Sequence, residues 1–241
     1  MCINVGNIQA IFNNTEFRNQ LVQNNRNICY ERTYPVLRRL GETCRETPTA
    51  DNIKLLALAT YGWMPTILDN MGYGENNQAD EEREQNVVNA LNGVSDLDSL
   101  QDGNRIKTLK DFTNNSYVGL SKFLHFIYPS EFAIWDSNVY SALKFASVYN
   151  INQFWDILNN AGWNYRVLRQ NEILVNTINN CRSKNLAAET NTRDRFFQYE
   201  TAILAVSRAV NAAGEELRLR MIETSLFCLG QVLRKIQRAN E

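Results

Sequence analysis

Apolar positions recur every three to four residues along most of this chain, and the elements this spacing predicts are helices. Residues 8 to 24 set Ile8, Ile11, Phe12, Leu21 and Val22 at mixed helical spacings. Between residues 28 and 41, Tyr30, Tyr34, Leu37 and Leu40 share a face, with Pro35 marking the start of the regular helix and Gly41 its C-terminal cap. A helix over Thr49–Tyr61, capped by Thr49 or Asp51, carries the nearly continuous apolar run LLALAT and is expected to be buried all round. Tyr61-Gly-Trp-Met-Pro65 ends it and turns into a short helix over Thr66–Met71. A loop from Gly72 leads to an exposed helix over Ala79–Asn92, whose DEERE run reads as a solvated first turn. Asp96–Leu100 and Lys107–Phe112 flank a turn at Asp102-Gly103-Asn104. Further helices are expected from Asp136 to about Phe145, over Ile151–Ala161 and over Asn164–Asn179. Cys181–Asp194 reads as a polar connector, and Arg195–Gln237 as a long helical region with a break at Gly214. The fold class this implies is all-α, one helical domain over residues 1–241 built of two lobes.

Composition supports that reading. Only 11 glycines and 4 prolines stand among 241 residues, so helix breakers are scarce. Hydrophobic residues make up 44% and charged residues 21%, ordinary for a globular protein. The net charge is -1, so no global basic field exists and any contact with nucleic acid must be local. Cys2, Cys29, Cys44, Cys181 and Cys228 are scattered without a C-x-x-C pair, and one histidine cannot complete a common zinc site. These are expected to be free thiols in a cytoplasmic protein, with no metal and no cofactor. The start MCINVGNIQA has no basic n-region or long apolar core, and no run reaches the ~20 apolar residues of a membrane span.

Candidate chemistry concentrates in residues 118–140, VGLSKFLHFIYPSEFAIWDSNVY. Lys122 is placed near the start of a helical segment, Pro129 breaks that segment, and an extended run FAIW leads to Asp136, which opens the next helix. An amine attacks a carbon only when neutral, so its pKa must fall from about 10.4 toward about 7–8. Burial does this, as does the positive end of a helix dipole. An aspartate at a helix N-cap is held in one rotamer by backbone N–H groups and stays ionised beside an apolar pocket.

The pair, with its flanking residues, resembles the lysine-to-aspartate core of oxoguanine DNA glycosylases of the helix-hairpin-helix type. The likeness covers roughly residues 110–145, with a catalytic core at about 107–147. Lys122 matches that family's Schiff-base lysine, Asp136 its catalytic aspartate, and Ser121 the small hydroxyl residue before the lysine. Tyr61-Gly-Trp-Met-Pro and Met221-Ile-Glu-Thr-Ser-Leu-Phe-Cys-Leu-Gly230 are similar to segments of bacterial members, some of which lie in antiphage defence operons. The resemblance implies an N-glycosylase/lyase acting on a purine base in nucleic acid or a nucleoside. It also implies a protein partner from a defence operon as the alternative, in which a non-catalytic module binds a nucleobase or that partner. Two departures bear on substrate. The glycine-rich hairpin before the lysine is reduced to Gly119, and the fourteen positions from Lys122 to Asp136 are several fewer than in the standard enzymes. The reduced hairpin, together with a sequence pI of about 6.0, points away from a firm grip on duplex DNA.

Around the pair, His125, Trp63, Trp135, Ser121 and Tyr61 are the expected substrate contacts. A lone histidine in an aromatic stretch is more often a core residue bonded to backbone, and Trp163, a third aromatic wall candidate, more often packs in a core. Arg182, Lys184, Arg193 and Arg195 form a local positive cluster whose default is a solvated connector.

Overall fold

The computed structural model describes residues 25–64, 68, 77–148 and 192–209, with single positions at 219–220, 223, 227, 230–231 and 234. Among them the regular structure is helical, with no strand. The chain divides into two compact units, one made of Cys29–Ile134 and one made of Met1–Ile28 with Trp135–Glu241. The boundary falls inside the run FAIW, between Ile134 and Trp135. No helix among the described residues is long and apolar enough to cross a membrane.

Helix α1 spans Asn25–Glu46, all but its first four residues in the Cys29–Ile134 unit, and Pro35 lies inside it, so the helix does not start there. Pro35 lies on the exposed face while Tyr34, Leu37, Arg38, Gly41 and Cys44 are buried, and burial of that stripe outweighs the one donor proline removes. Gly41 is likewise no cap but an interior residue. A Cβ there would collide with the Phe126 carbonyl, so glycine lets two helix backbones approach. Arg38, also buried, donates to the same Phe126 carbonyl and pairs with Glu42 at 3.2 Å.

Helix α2, Ala50–Trp63, begins where Thr49 caps it, its side chain accepting from the Asn52 amide at 3.3 Å. It buries Ile53, Leu56, Ala57, Thr60 and Tyr61, but Leu55 and Leu58 are 52% and 50% exposed. The LLALAT run is therefore amphipathic, since a 3.6-residue period carries Leu55 and Leu58 to the side opposite Leu56 and Thr60. The expected helix over Thr66–Met71 lies outside the described residues, except Leu68, which is not helical.

Helix α3, Asn77–Asn92, buries Val87, Val88 and Leu91 and leaves Glu81, Glu82 and Arg83 in solvent. Glu84 instead takes a 3.0 Å bond from Lys54 of α2. Asp102 does not sit in a free turn. Its carboxylate accepts from Asn104 and Arg105 amides at 2.9 and 3.1 Å and caps α4, Gly103–Phe112. Helix α5, Tyr117–Ile127, is the centre of this unit, with every residue from Gly119 to Ile127 buried.

In the other unit, α6 spans Ser137–Val148 and α7 spans Thr192–Ala209, so the connector expected over Cys181–Asp194 ends in helix. Phe196, Tyr199, Glu200, Ile203 and Leu204 form the buried side of α7. Leu219, Arg220, Glu223, Phe227, Gly230, Gln231 and Arg234 are helical, at spacings that keep one face. A Cβ on Gly230 would strike the Asn138 carbonyl, a second close backbone approach. Residues 8–24, Ile151–Ala161, Asn164–Asn179 and the break at Gly214 lie outside the described residues.

Candidate functional site

The lysine-bearing helix is built from a hairpin that glycine does not make. The Thr113 amide closes α4 by donating to Leu109 and Lys110 carbonyls. Asn114 and Asn115 then take positive φ of 54° and 53°, the left-handed region asparagine tolerates best after glycine. Ser116 donates to the Thr113 carbonyl at 3.0 Å, and its hydroxyl accepts from the Gly119 amide at 3.2 Å to cap α5. The turn between α4 and α5 is thus Thr113-Asn114-Asn115-Ser116, with asparagine in the left-handed positions where glycine is the usual choice.

That cap also corrects the expected place of Lys122. With α5 starting at Tyr117, the lysine is its sixth residue and not near its first turn. A helix dipole acts within about the first turn, so it does little for this amine, which is buried in the helix interior. Lys122 is 8% exposed, and its Nζ lies 5.8 Å from the centre of the Trp63 ring. Trp63 meets Tyr30 edge-on at 5.0 Å and Phe126 edge-on at 5.4 Å, forming an aromatic wall that keeps partial contact with solvent.

The other expected contacts in this unit have structural partners. Ser121 is fully buried and bonds back to the Val118 carbonyl at 3.0 Å. Tyr61 is 3% exposed and donates its hydroxyl to the Thr113 carbonyl at 2.7 Å, with burial pushing its pKa up to about 12. Gly119 makes room for that phenol, since any Cβ there would collide with it. His125 is fully buried, with Nδ1 2.8 Å from the Phe132 carbonyl and Nε2 2.7 Å from the Tyr34 hydroxyl. A carbonyl only accepts, so Nδ1 carries the hydrogen, and Nε2 accepts from the tyrosine. Both ring nitrogens thus serve to tie α1, α5 and the run after Pro129 together.

In the second unit, Asp136 caps α6 as the sequence leads one to expect. Its Oδ1 accepts from the Asn138 amide at 2.7 Å, and its carbonyl accepts from the Tyr140 amide at 2.9 Å. Trp135, 7% exposed, stacks on Phe196 at 5.5 Å and on Tyr199 at 5.8 Å, and so is packed by its own core. Tyr199 is fully buried, and its pKa is driven well above the normal tyrosine value, first by desolvation and then by Glu223, Glu200 and Asp136. Glu200 and Glu223 are themselves buried, with Arg220 3.8 Å from Glu223. Neither glutamate stood out in the sequence, although an acid inside FFQYETAIL breaks an otherwise apolar face. Arg234 donates to the Ser137 hydroxyl at 2.7 Å beside the Asp136 cap.

Of the positive cluster, Arg193 is exposed and lies 5.7 Å from the Phe197 ring, while Arg182 and Lys184 are outside the described residues, as is Trp163. Cys44 is a buried free thiol; Cys2, Cys181 and Cys228, and the side chain of Cys29, lie outside them too. Among the described residues no three histidine, cysteine, aspartate or glutamate side chains converge as a metal site. Lys122 belongs to the Cys29–Ile134 unit and Asp136 to the other. Chemically, the first offers a buried amine under an indole, and the second a capped carboxylate beside a neutral phenol. Comparison of the chain with protein-family models, with curated proteins and with solved structures finds no match.

Proposed function

We propose that the chain is an N-glycosylase/lyase-like enzyme of helix-hairpin-helix type that acts on a purine base in nucleic acid or a nucleoside, with Lys122 as nucleophile and Asp136 as its acidic partner. The observation that carries the reading is the Lys122 amine, 8% exposed beneath the partly open Trp63 wall and carried on a helix that a hairpin introduces. A neutral amine there attacks the anomeric carbon as the glycosidic C–N bond breaks, its electrons leaving with the base, which takes up a proton from water; Nζ then gives up a proton, the C1′–O4′ bond breaks with O4′ taking a proton, and the opened sugar remains as a protonated Schiff base on Nζ. Asp136, held by the Asn138 amide, stabilises the positive charge that develops on the sugar.

Borohydride should trap a covalent adduct between Lys122 and a purine nucleoside or oligonucleotide. Lys122→Gln should abolish trapping with the fold retained, and Asp136→Asn should slow base release by several orders of magnitude. Trapping that persists in Lys122→Gln would refute the assignment. One observation favours a second reading. Lys122 sits five residues past the start of α5, away from the dipole that would lower its pKa. A recess that binds a nucleobase, or a protein partner of a defence system, without turnover fits that position. Saturable binding of a purine with no adduct in the trapping assay would select it.

A further inference from the structure

We infer that Tyr61 and Gly119 together form a latch that positions the Trp63 indole over the Lys122 amine. This rests on the proposed role of Lys122, and it deepens that reading by naming what holds the amine's surroundings in place.

Trp63 is the last residue of α2, and Tyr61 stands two residues before it. The Tyr61 hydroxyl reaches out of α2 to the Thr113 carbonyl at 2.7 Å. The same carbonyl accepts from the Ser116 amide at 3.0 Å, and Ser116 is the cap that starts the lysine-bearing helix. One oxygen therefore joins the end of α2 to the beginning of α5, and both of its lone pairs are used. Gly119 opens the slot through which the phenol passes, because a Cβ there would overlap the Tyr61 hydroxyl. On the far side of α2, Trp63 packs edge-on against Tyr30 of α1 and Phe126 of α5. The tryptophan is thus fixed from two directions, and the Lys122 Nζ sits over its ring, 5.8 Å from the centre. The phenol is also kept in its donating, neutral form by burial.

The experiment uses the full chain and does not require that the substrate be known. Lys122 is modified with a small aldehyde and cyanoborohydride, and the rate at that residue is read by mass spectrometry as a function of pH, alongside indole fluorescence. Tyr61→Phe keeps the ring and removes only the donor. It should raise the Lys122 rate about fivefold, the population change expected from losing one hydrogen bond, displace the pH profile of the reaction and shift the indole emission. Thr60→Val is the control. It removes a buried hydroxyl bond to the Leu56 carbonyl, 2.7 Å, on the same helix without reaching the hairpin, and it should leave the Lys122 profile as in the parent. An unchanged Lys122 rate and profile in Tyr61→Phe would overturn the latch, as would an equal change in Thr60→Val. Neither result depends on nucleoside trapping, so a latch that fails and an enzyme assignment that fails are told apart.

Discussion

Cys44 and Tyr61 show how burial is written into single side chains. Burial pushes the Cys44 thiol up from 9.0 to about 12 and the Tyr61 phenol up from 10.0 to about 12. Both groups are held neutral in the folded chain, so the stability they carry is fully present below pH 9 and is lost as pH rises through 12. At about 1.4 kcal/mol per unit, each contributes a few kcal/mol to that alkaline loss. Cys44→Ala should therefore unfold at higher pH than the parent when helicity is followed by circular dichroism. An alkaline midpoint that stays where it was would show that the thiol is not what fails. The sequence marks Cys44 only as one of five scattered cysteines. Its depth comes from packing that no local pattern records.

At the level of helices, two N-caps are legible in the sequence and the contacts between helices are not. Thr49 and Asp136 each bond an amide two or three residues ahead, which a short stretch of sequence suffices to indicate. Lys122 was placed too near a helix start because the cap is Ser116, preceded by two left-handed asparagines that look like ordinary polar residues. Leu55 and Leu58 looked buried because periodicity gives the width of an apolar stripe but not which neighbour covers it. Gly41 is the sharpest case. A glycine after an apolar run reads the same whether it ends a helix or lets another backbone close in. The two roles predict different costs. A cap tolerates alanine at roughly 1 kcal/mol, whereas at a backbone contact Gly41→Ala must push α1 and α5 apart. We expect a loss above about 3 kcal/mol by denaturant unfolding, and a loss below 1 kcal/mol would return Gly41 to the capping role.

Across the molecule, helical content is readable from spacing and scarce breakers, but the place where the chain divides is not. The boundary at Ile134–Trp135 falls in a short extended run with no glycine or charged residue to announce it. A fragment of residues 29–134 should be helical and melt cooperatively on its own, because it contains α2 to α5 entire with the buried face of α1. A fragment that is unfolded by circular dichroism would mean that this unit takes its stability from the rest of the chain. The two units also differ in when they can be completed. Residues 29–134 emerge from a ribosome as one uninterrupted stretch and can be finished within seconds, at roughly 5–20 residues per second. Residues 1–28 emerge earlier, yet they belong with segments made only after residue 134. A nascent chain halted once residue 134 had emerged would hold the lysine helix folded while the aspartate's unit had yet to be made.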